Sequence, residues 1–376
     1  MIDFQKLPSP CFVLDEELLE ANLVTIDRVR RESGAEIIVA LKACAMWRIF
    51  PELARHSDGA TASSAAEARL VFEEYGRPAH TYAPVYTDGN IGEILRCSDH
   101  LTFNSLAQYE RFAPRAMRQG ISCGLRINPG YSPVETDLYN PCVAGSRLGI
   151  PAEALSELPE GVEGLHFHVL CESRPEHLRL ALEAVEARFG KYLPQIKWLN
   201  MGGGHLMTHR DYDCDELIRI LRDFRARHPH LRLILEPGSA FTWRTGYLVS
   251  TVEDLVENGG IRTAMLDVSF ACHMPDCLEM PYKPAIVGAR DPQPGEPGWR
   301  MGGNSCLAGD YCGDWVFDRE PHRGDRVVFE DMIHYTMVKT TMFNGVAHPA
   351  IAIARRDGTT EIVKEFGYED FKSRMS

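Results

Sequence analysis

The stretch EIIVALKACA, residues 36–45, places a lysine directly after five apolar residues suited to a buried strand. Lys42 could simply be a strand end whose ammonium group reaches solvent along its apolar stem. It could also react as a neutral amine, for example by forming a Schiff base with a carbonyl compound. The rest of the chain has to decide between these two interpretations.

Apolar runs like this one recur along the first two thirds of the chain, and most of the gaps between them carry helical periodicity. The predicted strands cover residues 36–42, 59–63, 80–84, 100–105, 122–129, 164–169, 196–204 and 232–238. The predicted helices cover residues 16–32, 65–75, 106–118, 176–189 and 215–227. This alternation predicts an α/β protein with a (β/α)8 TIM-like barrel over residues 16–240. A doubly wound open sheet is the alternative.

The sequence after residue 240 has little helical periodicity. The strand-like runs 246–257 and 261–268 flank the turn sequence NGG, and the runs 350–355 and 360–365 flank RDGT. Both patterns are typical of hairpins. We therefore predict an antiparallel β domain formed by residues 241–376, which also takes up the strand-like segment in residues 1–15.

Composition excludes several classes of function. The 376 residues carry a net charge of -13, which disfavours nucleic acid and anionic membranes as partners. The N-terminus has neither the basic start nor the apolar run of a signal peptide, and no apolar stretch approaches the ~20 residues needed to span a bilayer. We expect a cytoplasmic protein whose 11 cysteines are thiols, without a metal site, because their spacing does not match zinc ligands.

Barrels of this type carry their chemistry at the carboxyl ends of the strands. Lys42, His168 in HFHVL, the glycines of NMGGGH and Glu236 in LILEPG all fall at such ends. Each has a plain alternative: a core histidine, a tight turn, a salt bridge or helix cap. Together they match pyridoxal phosphate, which needs a lysine for its aldehyde, backbone amides for its phosphate, a flat neighbour, and an acid for its ring nitrogen.

The same motifs carry a family resemblance that runs over nearly the whole chain. ALKA at Lys42, FHV at His168, GGG, EPG at Glu236 and FEDMIHYTMVKTTMFNG near the C-terminus resemble the fold-type III pyridoxal-phosphate decarboxylases. This alanine-racemase-like group contains the ornithine and diaminopimelate decarboxylases. Within it, HFHVLCE, ACHMPDCLEMPYKP and GGNSCLAGDYCGDW are most similar to the carboxynorspermidine/carboxyspermidine decarboxylases.

The resemblance implies a role for each matching residue. Lys42 would form the Schiff base, His168 would stack on the cofactor ring, and Glu236 would pair with the ring nitrogen. The phosphate would be held by Gly203, Gly204 and Tyr335. Cys306 would face Lys42 and protonate the carbanionic carbon after CO2 leaves, and in the family this cysteine enters the site from the other subunit of a homodimer.

Two departures from the ornithine-type pattern point to a longer cationic substrate. Ser239 follows EPG where an arginine is common, and Leu307 follows the cysteine where ornithine-type enzymes place an aspartate. The residues predicted to contact the substrate are Ser239, His273, Asp276 and Asp310. Together with these departures, the resemblance implies decarboxylation of carboxynorspermidine and/or carboxyspermidine in polyamine and spermidine biosynthesis.

Other functions stay open at this point. One is decarboxylation of diaminopimelate or ornithine. Another is isomerisation, because alanine racemases share the layout but use a tyrosine where this chain has Cys306. The third is a non-catalytic binding protein similar to the antizyme inhibitors, against which the intact Lys42, Glu236 and Cys306 argue.

Overall fold

A computed structural model describes residues 2–279 and 281–376 of the chain. The chain forms two compact units: one is Asn22–Phe241, and the other combines Met1–Ala21 with Thr242–Ser376. They are called the barrel unit and the sheet unit below. None of the described helices is long and apolar enough to cross a membrane.

The barrel unit contains eight parallel strands that close on themselves. Each strand pairs in parallel with the next one along the chain, and Ile234 of the last strand pairs with Glu36 of the first. The first to eighth barrel strands are Glu36–Ala40, Gly59–Ala62, Ala79–Tyr82, Ser98–Phe103, Ser122–Asn128, Val162–His166, Trp198–Asn200 and Arg232–Leu235. The predicted (β/α)8 barrel is confirmed, and its closure excludes an open sheet.

Helices lie before the first strand, after the last one and in most of the gaps between strands, as the periodicity predicts. They are Glu16–Ser33, Phe50–Arg55, Ala65–Leu70, Ile91–Cys97, Leu106–Arg118, Pro175–Phe189, Cys214–Arg227 and Ser239–Thr242. Shorter elements are the π-helical turn Val71–Tyr75, the 3-10 turns Trp47–Ile49, Ala152–Ala154 and Gly190–Gln195, and the two-residue strand Ile150–Pro151. Ser64, Ser105 and Asp213 each cap a helix by accepting a hydrogen bond from the amide three residues later.

Trp198 fills the barrel interior and explains two glycines in neighbouring strands. Its indole is 2% exposed, and its ring nitrogen donates a hydrogen bond of 2.9 Å to the Ser122 hydroxyl. A Cβ at Gly124 would lie 2.2 Å from the indole, and one at Gly164 would lie 2.0 Å from it. The barrel therefore accommodates one large ring because two neighbouring strands have no side chain at that level.

The observed strands end earlier than the apolar runs suggest. The first strand ends at Ala40, the seventh at Asn200 and the eighth at Leu235. Beyond these points the backbone turns away from the sheet, at positive φ where Gly202 follows the seventh strand. Lys42 and Glu236 therefore lie in the turns at the carboxyl end of the barrel.

The sheet unit is largely antiparallel, as predicted, and its described strands also form two parallel pairs. Its strands are Cys11–Asp15, Gly246–Asn258, Ile261–Leu266, Ala289–Arg290, Trp299–Gly302, Tyr311–Phe317, Arg326–Glu330, Ala350–Ala354 and Thr360–Lys364. The N-terminal strand Cys11–Asp15 joins this sheet, as predicted. It pairs antiparallel with Gly246–Asn258 but parallel with Ala350–Ala354, and Ile261–Leu266 pairs parallel with Trp299–Gly302. These parallel pairs join segments distant in sequence, which local turn signals do not reveal.

Both predicted hairpins of this unit are present. NGG lies between Gly246–Asn258 and Ile261–Leu266, with Gly259 and Gly260 at φ of 58° and 76°. RDGT lies between Ala350–Ala354 and Thr360–Lys364. Short helices complete the unit: Phe270–His273, Asp276–Glu279 and Tyr368–Lys372, with 3-10 turns at Phe4–Lys6, Met337–Lys339 and Phe343–Gly345.

Candidate active site

The side chains of Lys42 and His168 meet at the carboxyl end of the barrel. The lysine nitrogen lies 3.0 Å from Nε2 of His168. The other ring nitrogen, Nδ1, accepts a hydrogen bond of 3.1 Å from the backbone N–H of Gly203. A neutral imidazole carries one proton, so an accepting Nδ1 places the N–H on Nε2, directed at Lys42. The lysine nitrogen can accept this hydrogen bond only as a neutral amine.

The electrostatics of the two side chains agree with this arrangement. Burial lowers the pKa of the Lys42 amine, and the negative charge of Glu236 offsets only part of that effect. Burial also lowers the pKa of His168 well below its ordinary value, and the nearby Lys42 lowers it further. Both groups are therefore disposed to be neutral, and a neutral lysine amine is a nucleophile.

Glu236 lies beside this pair as a carboxylate. Its side chain is 13% exposed, its Oε1 accepts a hydrogen bond of 2.7 Å from Asn200 Nδ2, and its Oε2 lies 3.7 Å from His166 Nε2. Burial alone would raise the pKa of this carboxyl, but the interactions with His166 and Asn200 lower it to about 2. Glu236 is therefore ionised at neutral pH and can accept a hydrogen bond from a protonated nitrogen.

The glycines after the seventh strand pass so close to neighbouring backbone that no side chain fits at these positions. A Cβ at Gly203 would lie 2.5 Å from the carbonyl oxygen of Glu236. A Cβ at Gly204, where φ is 93°, would lie 2.3 Å from the carbonyl oxygen of Leu170. Such a backbone can bring its amides close to an anion, as phosphate sites require.

The barrel unit thus brings together Lys42, His168, Gly203 and Glu236, four of the residues that the sequence singles out. Gly204 follows in the same turn, and Ser239 begins the helix Ser239–Thr242, where it is partly buried. Their roles toward cofactor and substrate stay predictions. The neutral amine beside a ring, the carboxylate and the glycine turn are a set of groups that fits pyridoxal phosphate.

The sheet unit carries the predicted thiol. Cys306 is exposed, and its backbone N–H donates a hydrogen bond of 2.9 Å to Asn344 Oδ1. Asp310 is 5% exposed and closes the same loop, because its carboxylate accepts hydrogen bonds of 3.0 Å from the amides of Ser305 and Ala271. Cys306 is therefore exposed on this loop, and the buried Asp310 carboxylate stabilises the loop through its hydrogen bonds to backbone amides.

Three further residues predicted to contact the substrate or cofactor lie in this unit. His273 is fully buried; its Nδ1 accepts from the Ser269 amide at 3.2 Å and its Nε2 donates to the Ala347 carbonyl at 3.0 Å. Asp276 accepts a hydrogen bond from the Lys339 ammonium group. Tyr335 is partly buried with φ of 53°. Substrate contact by His273 and Asp310 stays a prediction that these contacts do not support, since their polar atoms are engaged with backbone.

Sequence reasoning did not single out Asn200, the residue that holds Glu236. Asn200 is the last residue of the apolar run IKWLN. A polar residue at the end of a buried strand is the sequence feature that indicates it. Arg126, which the sequence places among the candidates at the strand ends, contacts the same region. Its guanidinium donates to the carbonyl of His168 at 3.2 Å and lies 4.6 Å from the ring centre of Tyr82.

A second cluster lies toward the amino ends of the barrel strands. Within the described residues, His80, Asp99 and His100 are the one group of three side chains close enough to be considered as metal ligands. The two imidazoles stack, however, with centres 3.9 Å apart and planes inclined by 23°. Lone pairs in nearly parallel rings do not converge on one ion, so we interpret this cluster as packing that closes the barrel.

Comparison with known proteins agrees with the site. Residues 11–333 match the family described as pyridoxal-dependent decarboxylase, C-terminal sheet domain. The carboxyaminopropylagmatine decarboxylase of Synechocystis sp. is 55% identical over 370 residues, which cover 98% of this chain and 96% of that protein. The carboxynorspermidine/carboxyspermidine decarboxylase of Campylobacter jejuni is 37% identical, with 99% of both chains covered.

A solved structure is similar over the same length. The crystal structure of carboxynorspermidine decarboxylase from Campylobacter jejuni, complexed with norspermidine, has a TM-score of 0.90 at 36% identity and covers 98% of this chain and 100% of that chain. The chain belongs to the pyridoxal-dependent decarboxylases. It is an enzyme of that class, and its cofactor is pyridoxal phosphate.

Proposed function

We propose that this enzyme removes the α-carboxylate of a carboxylated polyamine and that its preferred substrate is carboxyaminopropylagmatine. The observation that carries this proposal is the 55% identity with carboxyaminopropylagmatine decarboxylase, which extends over 98% of this chain. Carboxynorspermidine is the second candidate, supported by the 37% identity with the enzyme of Campylobacter jejuni and by the norspermidine complex of its structural relative.

The two substrate types share one end and differ at the other. Both carry an α-amino acid head, which is the part that loses CO2, and a secondary amine in the chain. The distal group is a planar guanidinium in the agmatine derivative and a compact ammonium in the norspermidine derivative. Because a guanidinium forms paired, in-plane hydrogen bonds, the pocket that holds it differs from one that holds an ammonium.

The residues at the barrel end would each have a defined task. Pyridoxal phosphate, when bound, supplies an electron sink for the pair left behind by departing CO2. Lys42, as a neutral amine, would bind the cofactor covalently, and His168 would lie against its ring. Gly203 and Gly204, with Tyr335 of the sheet unit, would bind the phosphate. The ionised Glu236 would hold a proton on the ring nitrogen.

Cys306 would deliver the proton that replaces the carboxylate. It belongs to the sheet unit, and the resemblance implies that it serves the Lys42 of a second subunit. The proposed enzyme is therefore a homodimer with shared sites, and it would act in the cytoplasm. The exposed position of Cys306 in its loop supports this assignment, since a proton donor has to reach the substrate.

Turnover with defined substrates tests the proposal. Purified enzyme supplied with pyridoxal phosphate would be given carboxyaminopropylagmatine, carboxynorspermidine, carboxyspermidine, diaminopimelate or ornithine. We expect CO2 and the matching amine in equal amounts from the carboxylated polyamines. Loss of optical rotation without CO2 would indicate an isomerase, and absence of a borohydride-reducible cofactor band would indicate a binding protein.

A further inference from the structure

Asn200 links two parts of the site with one side chain. It is the last residue of the seventh barrel strand and is 2% exposed. Its Nδ2 donates a hydrogen bond of 2.7 Å to Glu236 Oε1, and its Oδ1 accepts one of 2.9 Å from the backbone N–H of Gly202. The amide therefore connects the Glu236 carboxylate to the first residue of the glycine turn.

We propose that Asn200 is a positioning residue that sets the spacing between the Glu236 carboxylate and the glycine turn. The inference deepens the proposed function, because these two features would hold opposite ends of one rigid cofactor, its ring nitrogen and its phosphate. Asn200 acts through Glu236 and Gly202. A buried carboxylate needs a donor, and His166 at 3.7 Å is too far to be a hydrogen-bond partner.

An amide is the side chain that this position requires. One end has to donate to a carboxylate, and the other end has to accept from a backbone N–H. An ionised aspartate accepts only, so it can keep the bond from Gly202 but not the bond to Glu236. A protonated aspartic acid can make both. In Asn200→Asp the hydrogen bond from residue 200 to Glu236 therefore exists only while the aspartic acid is protonated, so it depends on pH.

The test compares Asn200→Asp with wild type across pH. Two carboxyls in contact cannot both ionise readily, so one pKa of the pair rises above the ordinary value for aspartate. The variant should bind pyridoxal phosphate almost as well as wild type in acid, while the pair holds a proton. As pH rises through the raised pKa, its affinity should fall by about tenfold relative to wild type, one unit on a logarithmic scale.

Asn128→Asp is the matched control. Asn128 also ends a barrel strand, and its Oδ1 also accepts a hydrogen bond of 2.9 Å from the amide two residues later. Its Nδ2 donates to the carbonyl of Pro141 at 3.3 Å rather than to a carboxylate. The control introduces the same charge in the same kind of turn, and its cofactor affinity should follow the wild-type pH profile.

A second readout does not depend on decarboxylation. In the cofactor-free full-length chain, the raised pKa belongs to the folded state. Stability of Asn200→Asp relative to wild type should be highest below about pH 4, the unfolded aspartate value, and fall as pH rises through the raised pKa. This profile tests the link even if none of the proposed substrates is turned over, so failure of the proposed function is distinguishable.

Parallel pH profiles of Asn200→Asp and wild type, in both readouts, would overturn the proposal. If Asn200→Asp does not fold, Asn200→Ala replaces it. Loss of the donor should raise the Glu236 pKa, so the acid limb of the pH–kcat profile should move to higher pH while KM changes little. An unmoved acid limb, or an equal shift in Asn128→Ala, would overturn the proposal.

Discussion

The side-chain nitrogen of Lys42 lies 3.0 Å from Nε2 of His168, whose other ring nitrogen accepts from the Gly203 amide. This chain of two hydrogen bonds runs from the glycine turn to the lysine and assigns both protonation states. The imidazole has its proton on Nε2, and the lysine is a neutral amine. Lys42, in the turn after the first barrel strand, is thereby held as a neutral amine, which explains how a residue type that is usually charged can follow IIVAL.

Replacing Lys42 with methionine should stabilise the cofactor-free protein at neutral pH. Because burial lowers the Lys42 pKa in the folded state, the unfolded chain binds more protons between that lowered value and about pH 10.4. Wild-type stability should rise with pH over this window, and Lys42→Met should lack the rise. The melting temperature as a function of pH measures both. Lys191→Met, at an exposed lysine, should show no gain.

The same variant should lose the absorbance band of bound pyridoxal phosphate and nearly all turnover, because no amine remains to bind the cofactor covalently. Borohydride reduction followed by peptide mapping checks the position. Label on residues 36–45 of the wild type and none on Lys42→Met is the expected result. Label on another lysine of the variant would show that Lys42 is not the attachment site.

Glu236→Gln should retain the cofactor but lose most of the rate, since a neutral amide cannot hold a proton on the ring nitrogen. Activity within a factor of about three of wild type, well under 1 kcal/mol of barrier, would contradict this role. Glu110→Gln, at an exposed position of the helix Leu106–Arg118, is the control and should leave kcat unchanged.

Acid stability gives an independent check of Glu236. The folded-state pKa of about 2 lies below the ordinary value of 4.5, so ionised Glu236 contributes stability above pH 4.5 that is lost as pH falls toward 2. The stability difference between wild type and Glu236→Gln should therefore shrink as the pH is lowered through this window. A difference that stays constant with pH would mean that the carboxylate is not held in the ionised form.

Complementation tests the shared-site dimer. Lys42→Ala and Cys306→Ala homodimers should each be crippled, and mixing them should restore activity because a mixed dimer contains one site with both residues. With random exchange about half of the dimers are mixed, each with one intact site of two, so recovery should approach about one quarter of wild type. The amine product is scored together with aldehyde, which misplaced protonation would yield. No recovery after verified subunit exchange would place both residues in one chain.

The acidic pair Asp276 and Glu279 tests where the substrate cation binds. In the structure both carboxylates hold the Lys339 ammonium group. If Asp276 binds the substrate, Lys339 competes with it. Lys339→Met should then lower KM by about threefold, and Asp276→Asn should raise it by about tenfold, as for a charge-assisted hydrogen bond. Glu279→Gln is the matched control. An unchanged KM in all three variants would mean that Asp276, Glu279 and Lys339 have only a structural role.

Much of the fold could be predicted from sequence because its signals are local. Eight apolar runs separated by helical periodicity indicate a barrel, and NGG and RDGT indicate hairpins. The parallel pairing of Cys11–Asp15 with Ala350–Ala354 could not be predicted, since it joins residues more than 330 positions apart by hydrogen bonds that leave no turn signature. The exact strand ends were also missed, because an apolar run continues past the last ladder hydrogen bond.

The candidate site also combines residues that the sequence predicts with contacts that appear only in the folded chain. Lys42, His168 and Glu236 were predicted because an ionisable residue at the end of a buried strand is conspicuous. Asn200 could not be singled out from the sequence, because its two contacts, with Glu236 and Gly202, are made only in the folded barrel. For Asp310, an acid in a loop, substrate contact stays a prediction, and the hydrogen bonds it accepts from two backbone amides could not be read from the sequence.

An internal competition measures the substrate preference directly. Enzyme with pyridoxal phosphate would receive carboxyaminopropylagmatine and carboxynorspermidine in equal amounts, and the two amine products would be quantified at low conversion, where their ratio equals the ratio of kcat/KM values. We expect the agmatine-derived product to dominate by at least about tenfold, as for a pocket that recognises a polar group by hydrogen bonds. A dominant norspermidine product, or release of CO2 from neither compound, would contradict the proposed function.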